Sequence, residues 1–582
     1  MNFTKSIVSA ALALCALSGN ALTITKTAGW FESIGVEWEP VDGAAKYAVL
    51  YSGPGASGLE IDPELVRLYP GYLRADIPGI APGSYTVSVI AADASGAEID
   101  RAVSEPVTVR PFVREGFAFR DGYLPGAYKA DGTPKDGADI IYVTPATANT
   151  VTLTVVTDAK GKTTQAVGLM NIIKAKNKGY DKTPLIIRVT GCLTQSDVTG
   201  LKSNNYIDFT GANNGARMIE NVTLEGVGND ATLKGFGVFT KRSHGIEVRN
   251  LGIMLFGDDG VSMEADNSNI WVHNCDFFYG SPGKDKDQVK GDGSIDMKYN
   301  TTDITIDHNH FWDSGKSTFA GGATESNPIY FTYHHNWFDH ADSRCPRLCH
   351  ASAHIYNNYF DANPTMCLLS TENTSAFVES NYYRNCPSPM EINMQGTNRR
   401  RWPDGTQNGG MNKGYGNICE GEYELITQHD NATDFDVWVV DDRAEQLPAT
   451  VRSLKGGNVY DNFDTSTGMY AYTPDEAADV PARVTADAGR MEGGDLKWQF
   501  DNATDDASTA IDPELKAALT AYTGSYLGQA PVATGISDIV TDADADPAVI
   551  YDLQGRRYDR LPSQGHGVYI VRRGDRVVKI VR

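Results

Sequence analysis

Asn309-His310-Phe311-Trp312, Asn336-Trp337-Phe338, Asn358-Tyr359-Phe360 and Asn381-Tyr382-Tyr383 repeat one theme, an Asn followed by bulky apolar residues after a short strand. Looser copies begin at Asn221, Asn250 and Asn274, and the successive gaps are 29, 24, 35, 27, 22 and 23 residues. A period near 22 residues with occasional longer gaps is what stacked coils give when each adds one rung and insertions bulge out as loops. The stretch therefore predicts an all-β chain built on a right-handed parallel β-helix. At each bend an inward Asn amide can satisfy exposed backbone groups and bond to the Asn above it. The aromatics Phe277, Phe278, Phe311, Trp312, Trp337, Phe338, Tyr359 and Phe360 are expected to stack inside the coil.

On either side of this region the pattern changes. Residues 22–112 alternate apolar and polar, as in Tyr47-Ala48-Val49-Leu50-Tyr51 and Tyr85-Thr86-Val87-Ser88-Val89-Ile90, which predicts short antiparallel strands in a β-sandwich. The order of Trp38, the Lys46-Tyr47 strand and the Gly83-Ser84-Tyr85 strand resembles a fibronectin type III module. The coil is expected over 113–530. Residues 531–582 pass through Asp542-Ala543-Asp544-Ala545-Asp546 to strand-like Val549-Ile550-Tyr551-Asp552 and Gly567-Val568-Tyr569-Ile570-Val571. They predict a linker and a small C-terminal β module, which resembles the sorting modules of secreted Bacteroidetes proteins.

Lys5, the apolar run Ile7 to Leu17 and the small residues Gly19-Asn20-Ala21 read as a signal peptide over residues 1–21. A secreted, periplasmic or cell-surface location follows, and no later segment has the length and apolarity of a membrane span. Without Cys15 the remaining cysteines are Cys192, Cys275, Cys345, Cys349, Cys367, Cys386 and Cys419, an odd and widely spaced set that does not form a disulfide scaffold. The formal net charge of −23 argues against nucleic acid and opposes nonspecific capture of any polyanion. An acidic substrate would need local cations or a bridging metal. A monomer is expected.

Three tracts carry the candidate chemistry. Gly257-Asp258-Asp259-Gly260 sets adjacent acids beside a glycine. In Gly291-Asp292-Gly293-Ser294-Ile295-Asp296-Met297-Lys298, alternation along a strand sends Asp292, Asp296 and Lys298 to one side. Carboxylates at Asp258 or Asp259, Asp292 and Asp296 are the hard oxygen ligands that Ca2+ takes, whereas zinc favours His or Cys.

The third tract, Thr332-Tyr333-His334-His335-Asn336 through Asp342-Ser343-Arg344-Cys345-Pro346-Arg347, resembles the pectate lyases of polysaccharide lyase family 1. The resemblance runs from about Gly116 to about residue 527 and is strongest between 250 and 360. It implies that Arg344, two positions before a proline, is the base that removes the proton at carbon 5 of galacturonate. It also implies that Asp292 and Asp296 belong to the calcium site and that Lys298 and Lys316 are catalytic and substrate-binding cations. His334 and Arg347 join the substrate-binding set. Where the family has a second arginine five residues after the base, this chain has Cys349, so that either Arg347 substitutes for it or substrate binding differs.

The resemblance thus implies a secreted, calcium-dependent pectate lyase acting on acidic pectin, polygalacturonate, by β-elimination. The rival readings are a β-helical polygalacturonase, which would work with separated carboxylates, and a noncatalytic pectin-binding protein. For the hydrolase the only Gly-His-Gly, Gly565-His566-Gly567, lies in the tail. Arg399-Arg400-Arg401-Trp402 reads equally as a basic rim for a polyanion or as an exposed loop.

Overall fold

Between Asp139 and Val439 the chain repeatedly lays one strand on each of three parallel sheets, of eleven, nine and eight strands. Sequence neighbours within a sheet are successive rungs, so every strand pairs in parallel with the one a full turn later. This is a parallel β-helix, as the repeat predicts. The computed structural model describes residues 21–283, 288–322, 324–326, 328–397 and 407–533, and in the C-terminal unit the strands 549–552, 557–558, 568–573 and 576–581. The signal run through residue 20, Arg399-Arg400-Arg401-Trp402, the Asp542 to Asp546 stretch and Gly565-His566-Gly567 lie outside the described residues.

The pleat decides what fills the coil. In Thr302–Asp307, Ile304 and Ile306 point inward at 0% exposure, while Thr305 and Asp307 take the outer face. One bend carries an asparagine ladder. Asn309 donates to Asn336 (3.1 Å), Asn336 to Asn358 (2.9 Å), Asn358 to Asn381 (3.0 Å) and Asn381 to Asn417 (3.0 Å). Each amide also donates to a main-chain carbonyl of the preceding rung and accepts from the main-chain N–H of the preceding ladder residue. The buried bend is thereby satisfied without water.

Asn221, Asn250 and Asn274 depart from the expected pattern. They hold left-handed backbone at φ +56, +53 and +48°, a conformation that Asn tolerates, and they lie outside the ladder. Cys275 occupies the ladder position on its rung, its N–H donating to Asn309.

The aromatic stack also splits. Phe277, Phe311, Phe338, Phe360 and Tyr383 stack inside the coil with centroids 4.4–5.2 Å apart. Their neighbours Phe278, Trp312, Trp337 and Tyr359 alternate to the outside. There the segment after residue 480 covers them, with Phe500, Leu515 and Leu519 over the first pair and Val480, Val484 and Ala488 over the second.

The N-terminal region forms two antiparallel sheets around Trp38, Tyr47 and Tyr85, a β-sandwich. It is fused to the coil: its core includes Val227, its buried Arg67 donates to the Val227 carbonyl, and Gly528–Gln529 adds a strand to one sheet. Val532 bridges to Tyr47, so the chain stays with the sandwich past residue 530. The described residues up to 533 form one compact unit, and the C-terminal strands form a separate four-stranded antiparallel sheet. All seven described cysteines are free thiols.

Candidate active site

The eight-stranded sheet carries the candidate residues. Strand Gly293–Lys298 buries Ile295 and Met297 in the coil, which turns Asp296 and Lys298 outward, with Lys298 Nζ 2.8 Å from Asp296. In the next rung Gly293 lies opposite Lys316 and Asp296 opposite Phe319, and in the rung after that Phe319 lies opposite Arg347. This register brings Lys316 Nζ to 3.1 Å from Asp292 and sets the Arg347 guanidinium 5.0 Å from the centre of the Phe319 ring. On the rung before, Asp258 and Asp259 form the bend leading into Val261–Glu264, whose Ser262 is opposite Asp296.

One carboxylate oxygen from each of Asp258, Asp259 and Asp292 lies within 4.8 Å of the others. Asp296 adjoins them across Gly293, where a Cβ would come within 2.3 Å of the Asp296 carboxylate and 3.1 Å of the Asp259 carboxylate. A side chain at 293 would fill the space between the acids. The shell around them was not foreseen from sequence: Asn204 and the Tyr206 hydroxyl donate to Asp258, and Gln288 donates to Asp292. Tyr206 and Asn204 come from an earlier rung, and no local signal marks them.

Burial, then the charge of Asp296, holds the Asp259 carboxyl well above the usual carboxylate range, while Lys298 and a hydrogen bond from Ser262 pull against the shift. Burial disfavours the Lys298 ammonium, yet Asp296 and Asp259 hold its pKa above the ordinary lysine value. Four crowded carboxylates with only oxygen donors, two of them nearly closed to solvent, fit a hard divalent cation of the calcium type. No His or Cys belongs to this group, so a zinc-type donor set is absent among the described residues there.

Arg344 lies in the bend before strand Arg347–Cys349 of the same sheet, near enough for its charge to act on the Arg347 guanidinium. It holds a left-handed φ of +60°, its carbonyl accepts from the Thr318 N–H at 2.7 Å, and a cis Cys345–Pro346 peptide follows. Its guanidinium has no ion-pair partner among the described residues. Arg347 is 8% exposed and hydrogen-bonds Gln407. Burial, then the neighbouring Arg344 charge, lowers its pKa to about 10. Cys349, where the family pattern has arginine, is a buried thiol in contact with His350.

His334 does not join this group. It ends strand Tyr330–His334 of the eleven-stranded sheet, is 0% exposed and stacks on Tyr356 at 4.9 Å. Sequence adjacency to the Arg344 tract suggested a shared site, but the coil turns a corner between them.

Residues 143–414, a little under half of the chain, match the family model described as pectate lyase. A pectate trisaccharide-lyase of Bacillus licheniformis is 33% identical over 231 residues, which is 39% of this chain and 63% of that protein. A probable pectate lyase A of Aspergillus fumigatus is 29% identical over 171 residues, covering 28% of this chain and 52% of its own length. The chain thus spans about half to three fifths of the relatives it matches. Among solved structures, a pectate lyase from Bacillus sp. N165 in complex with trigalacturonate aligns over 65% of this chain and 99% of its own, at 20% identity and a TM-score of 0.44. The sequence similarity to pectate lyases therefore covers the stretch that holds every carboxylate, lysine and arginine gathered on the eight-stranded sheet.

Proposed function

We propose that the chain is a calcium-dependent pectate lyase that cleaves acidic, unesterified galacturonan by β-elimination and leaves a 4,5-unsaturated end. The observation that carries this reading is the pairing of a carboxylate cluster with outward cations: Asp292 with Lys316, Asp296 with Lys298, and Arg344 without an ion-pair partner among the described residues. The match of residues 143–414 to the pectate lyase model supports it.

Removing the proton at carbon 5 places a second negative charge beside the uronate carboxylate, so stabilising that charge dominates the barrier. Asp258, Asp259, Asp292 and Asp296 would hold a Ca2+ ion, which when bound supplies positive charge to the substrate carboxylate. Lys298 and Lys316 hold the uronate in register and add charge of the same sign. Arg344 takes the proton, and Arg347 supplies a second guanidinium in place of the arginine that Cys349 displaces. The bond from carbon 4 to its glycosidic oxygen then breaks, that oxygen acquires a proton, and no water is consumed. A neutral guanidine is required for the first step, which calls either for alkaline solution or for a cationic site, supplied by Lys298, Lys316 and bound Ca2+, that favours the neutral form.

The raised Asp259 carboxyl favours a hydrolase, where it would serve as general acid. Its neighbours Asp258 and Asp292, within 4.8 Å, leave less room than the roughly 6.5–9.5 Å an inverting pair needs for its water. The apolar run through Leu17 supports export, and the sandwich and C-terminal sheet fit the fibronectin-like and sorting-like modules read from sequence.

The test is ultraviolet absorbance of the mature protein with polygalacturonate, with Ca2+ and with a chelator, alongside Arg344→Ala. Calcium-dependent absorbance lost in the variant is expected. New reducing ends without absorbance would instead establish the hydrolase, and neither signal a binding protein.

A further inference from the structure

A second cluster lies on the outer face of the eleven-stranded sheet. His308 and His335 follow successive strands in left-handed backbone and stack at 4.8 Å with a 2° interplanar angle, and His334 stands edge-on to both. One ring nitrogen from each lies within 4.8 Å of the others. We propose that His308, His334 and His335 bind one first-row transition ion of the zinc class, at a site separate from the carboxylate cluster and independent of the lyase reading.

Hydrogen bonding to carboxylates already sets two of the rings for ligation. His308 Nδ1 is 2.8 Å from Asp307, and His335 Nε2 is 3.2 Å from Asp475. These are the partners ligating imidazoles use to fix tautomer and orientation, and they leave the opposite nitrogen of each ring as a lone pair. For His335 that nitrogen is Nδ1, which accepts a hydrogen bond from Nδ1 of His334 at 2.9 Å, so an ion would displace this bond at His335 and meet His334 through Nε2.

His334 itself is 0% exposed and its Nε2 is buried without a hydrogen-bond partner, with Asp307 Oδ2 3.9 Å away. Burial lowers all three pKa values, that of His308 to about 4, with the other imidazoles adding to the effect at His334 while Asp487 opposes it at His308 and Asp475 at His335. The rings thus stay in the neutral form that metals bind. The nitrogens, now within 4.8 Å of one another, must close to the about 3.3 Å separation of ligands ~2.0 Å from a tetrahedral ion, with the stacked His308 and His335 rings turning so that the ion lies in the plane of each. The His335 side chain, 12% exposed, gives the ion an entry path. An ion there would tie Asp475, and with it the segment that covers the sheet, to two rungs.

The experiment uses the full mature chain without a histidine tag, stripped with chelator and held at fixed Ca2+. Isothermal titration with Zn2+ is expected to show one site, weakened at least tenfold in His308→Gln and in His335→Ala and unchanged in Asp292→Asn. Titration with Co2+ is expected to give the intense visible bands of a tetrahedral, nitrogen-rich site, a readout that needs no variant. The proposal is overturned if the folded chain binds no stoichiometric Zn2+, if Co2+ shows only weak octahedral bands, or if Asp292→Asn rather than the histidine variants removes binding.

Discussion

Arg344 combines the proposed proton-transfer role with a backbone position that is rare for its type. Left-handed φ at a non-glycine residue costs about 1–3 kcal/mol, and Arg344 holds it at +60° with no ion-pair partner for its guanidinium among the described residues. Arg344→Lys keeps the charge but loses the planar base, so kcat is expected to fall by about 10²–10⁴-fold with KM little changed. Steady-state kinetics on polygalacturonate separate the two, and a change confined to KM would make Arg344 a binding residue. Asp259 supplies a stability prediction. Its carboxyl pKa is raised in the fold, so the folded chain holds a proton that the unfolded chain releases. The stability this gives is complete below the unfolded value and is lost as pH rises through the folded one. Near neutral pH without divalent cation, Asp259→Asn is therefore expected to raise Tm by about a few degrees and to shrink the Ca2+-induced rise. Calorimetry in chelator and in Ca2+ checks both, and a lower Tm with the full Ca2+ shift would remove Asp259 from the cation set.

In the coil, the unit of stability is the ladder shared between rungs. Asn358 accepts from the amide and the N–H of Asn336 and donates to Asn381 and to the Tyr333 carbonyl. Asn358→Ala strands several of these groups at 0% exposure, at about 1–3 kcal/mol for each one left unmade. A loss of about 3 kcal/mol is expected in urea denaturation, against less than half of that for Asn417→Ala at the ladder's partly exposed end. The ladder was legible because Asn309, Asn336, Asn358 and Asn381 share both residue type and following aromatics. Asn221, Asn250 and Asn274 misled because an Asn in a left-handed bend looks identical in sequence to one in a ladder. Asp292, Asp296 and Lys298 were legible because one strand with period two carries them, and Asp258 and Asp259 because acids beside glycine recur on the neighbouring rung. His334 was not, since no local pattern says which sheet a strand joins. Nor could the outward aromatics Phe278 and Trp312 be separated from the stack, because the cover over them arrives more than 180 residues later.

Across the molecule, fold and charge would act on the proposed substrate in opposite senses. Fusing the sandwich to the coil through Val227, Arg67 and Gly528–Gln529 gives the sheets a continuous rigid body on which the cations can be held in register. The chain as a whole carries a formal net charge of −23, so its field repels polygalacturonate at long range. Among the described residues, local attraction on the proposed reading comes from Lys298, Lys316, Arg344 and Arg347, together with the bound Ca2+. Salt separates the two, because the Debye length is about 30 Å at 0.01 M and about 8 Å at 0.15 M. At the lower ionic strength an approaching polyanion feels the whole molecule, and at the higher one it feels only the charges nearest the candidate site. At saturating, fixed Ca2+, kcat/KM on polygalacturonate is therefore expected to rise severalfold between these salt concentrations. It should fall again at still higher salt, when the local cations are screened too. A steady fall from the lowest salt upward would mean that the local cations already dominate the long-range field and that net charge does not govern capture.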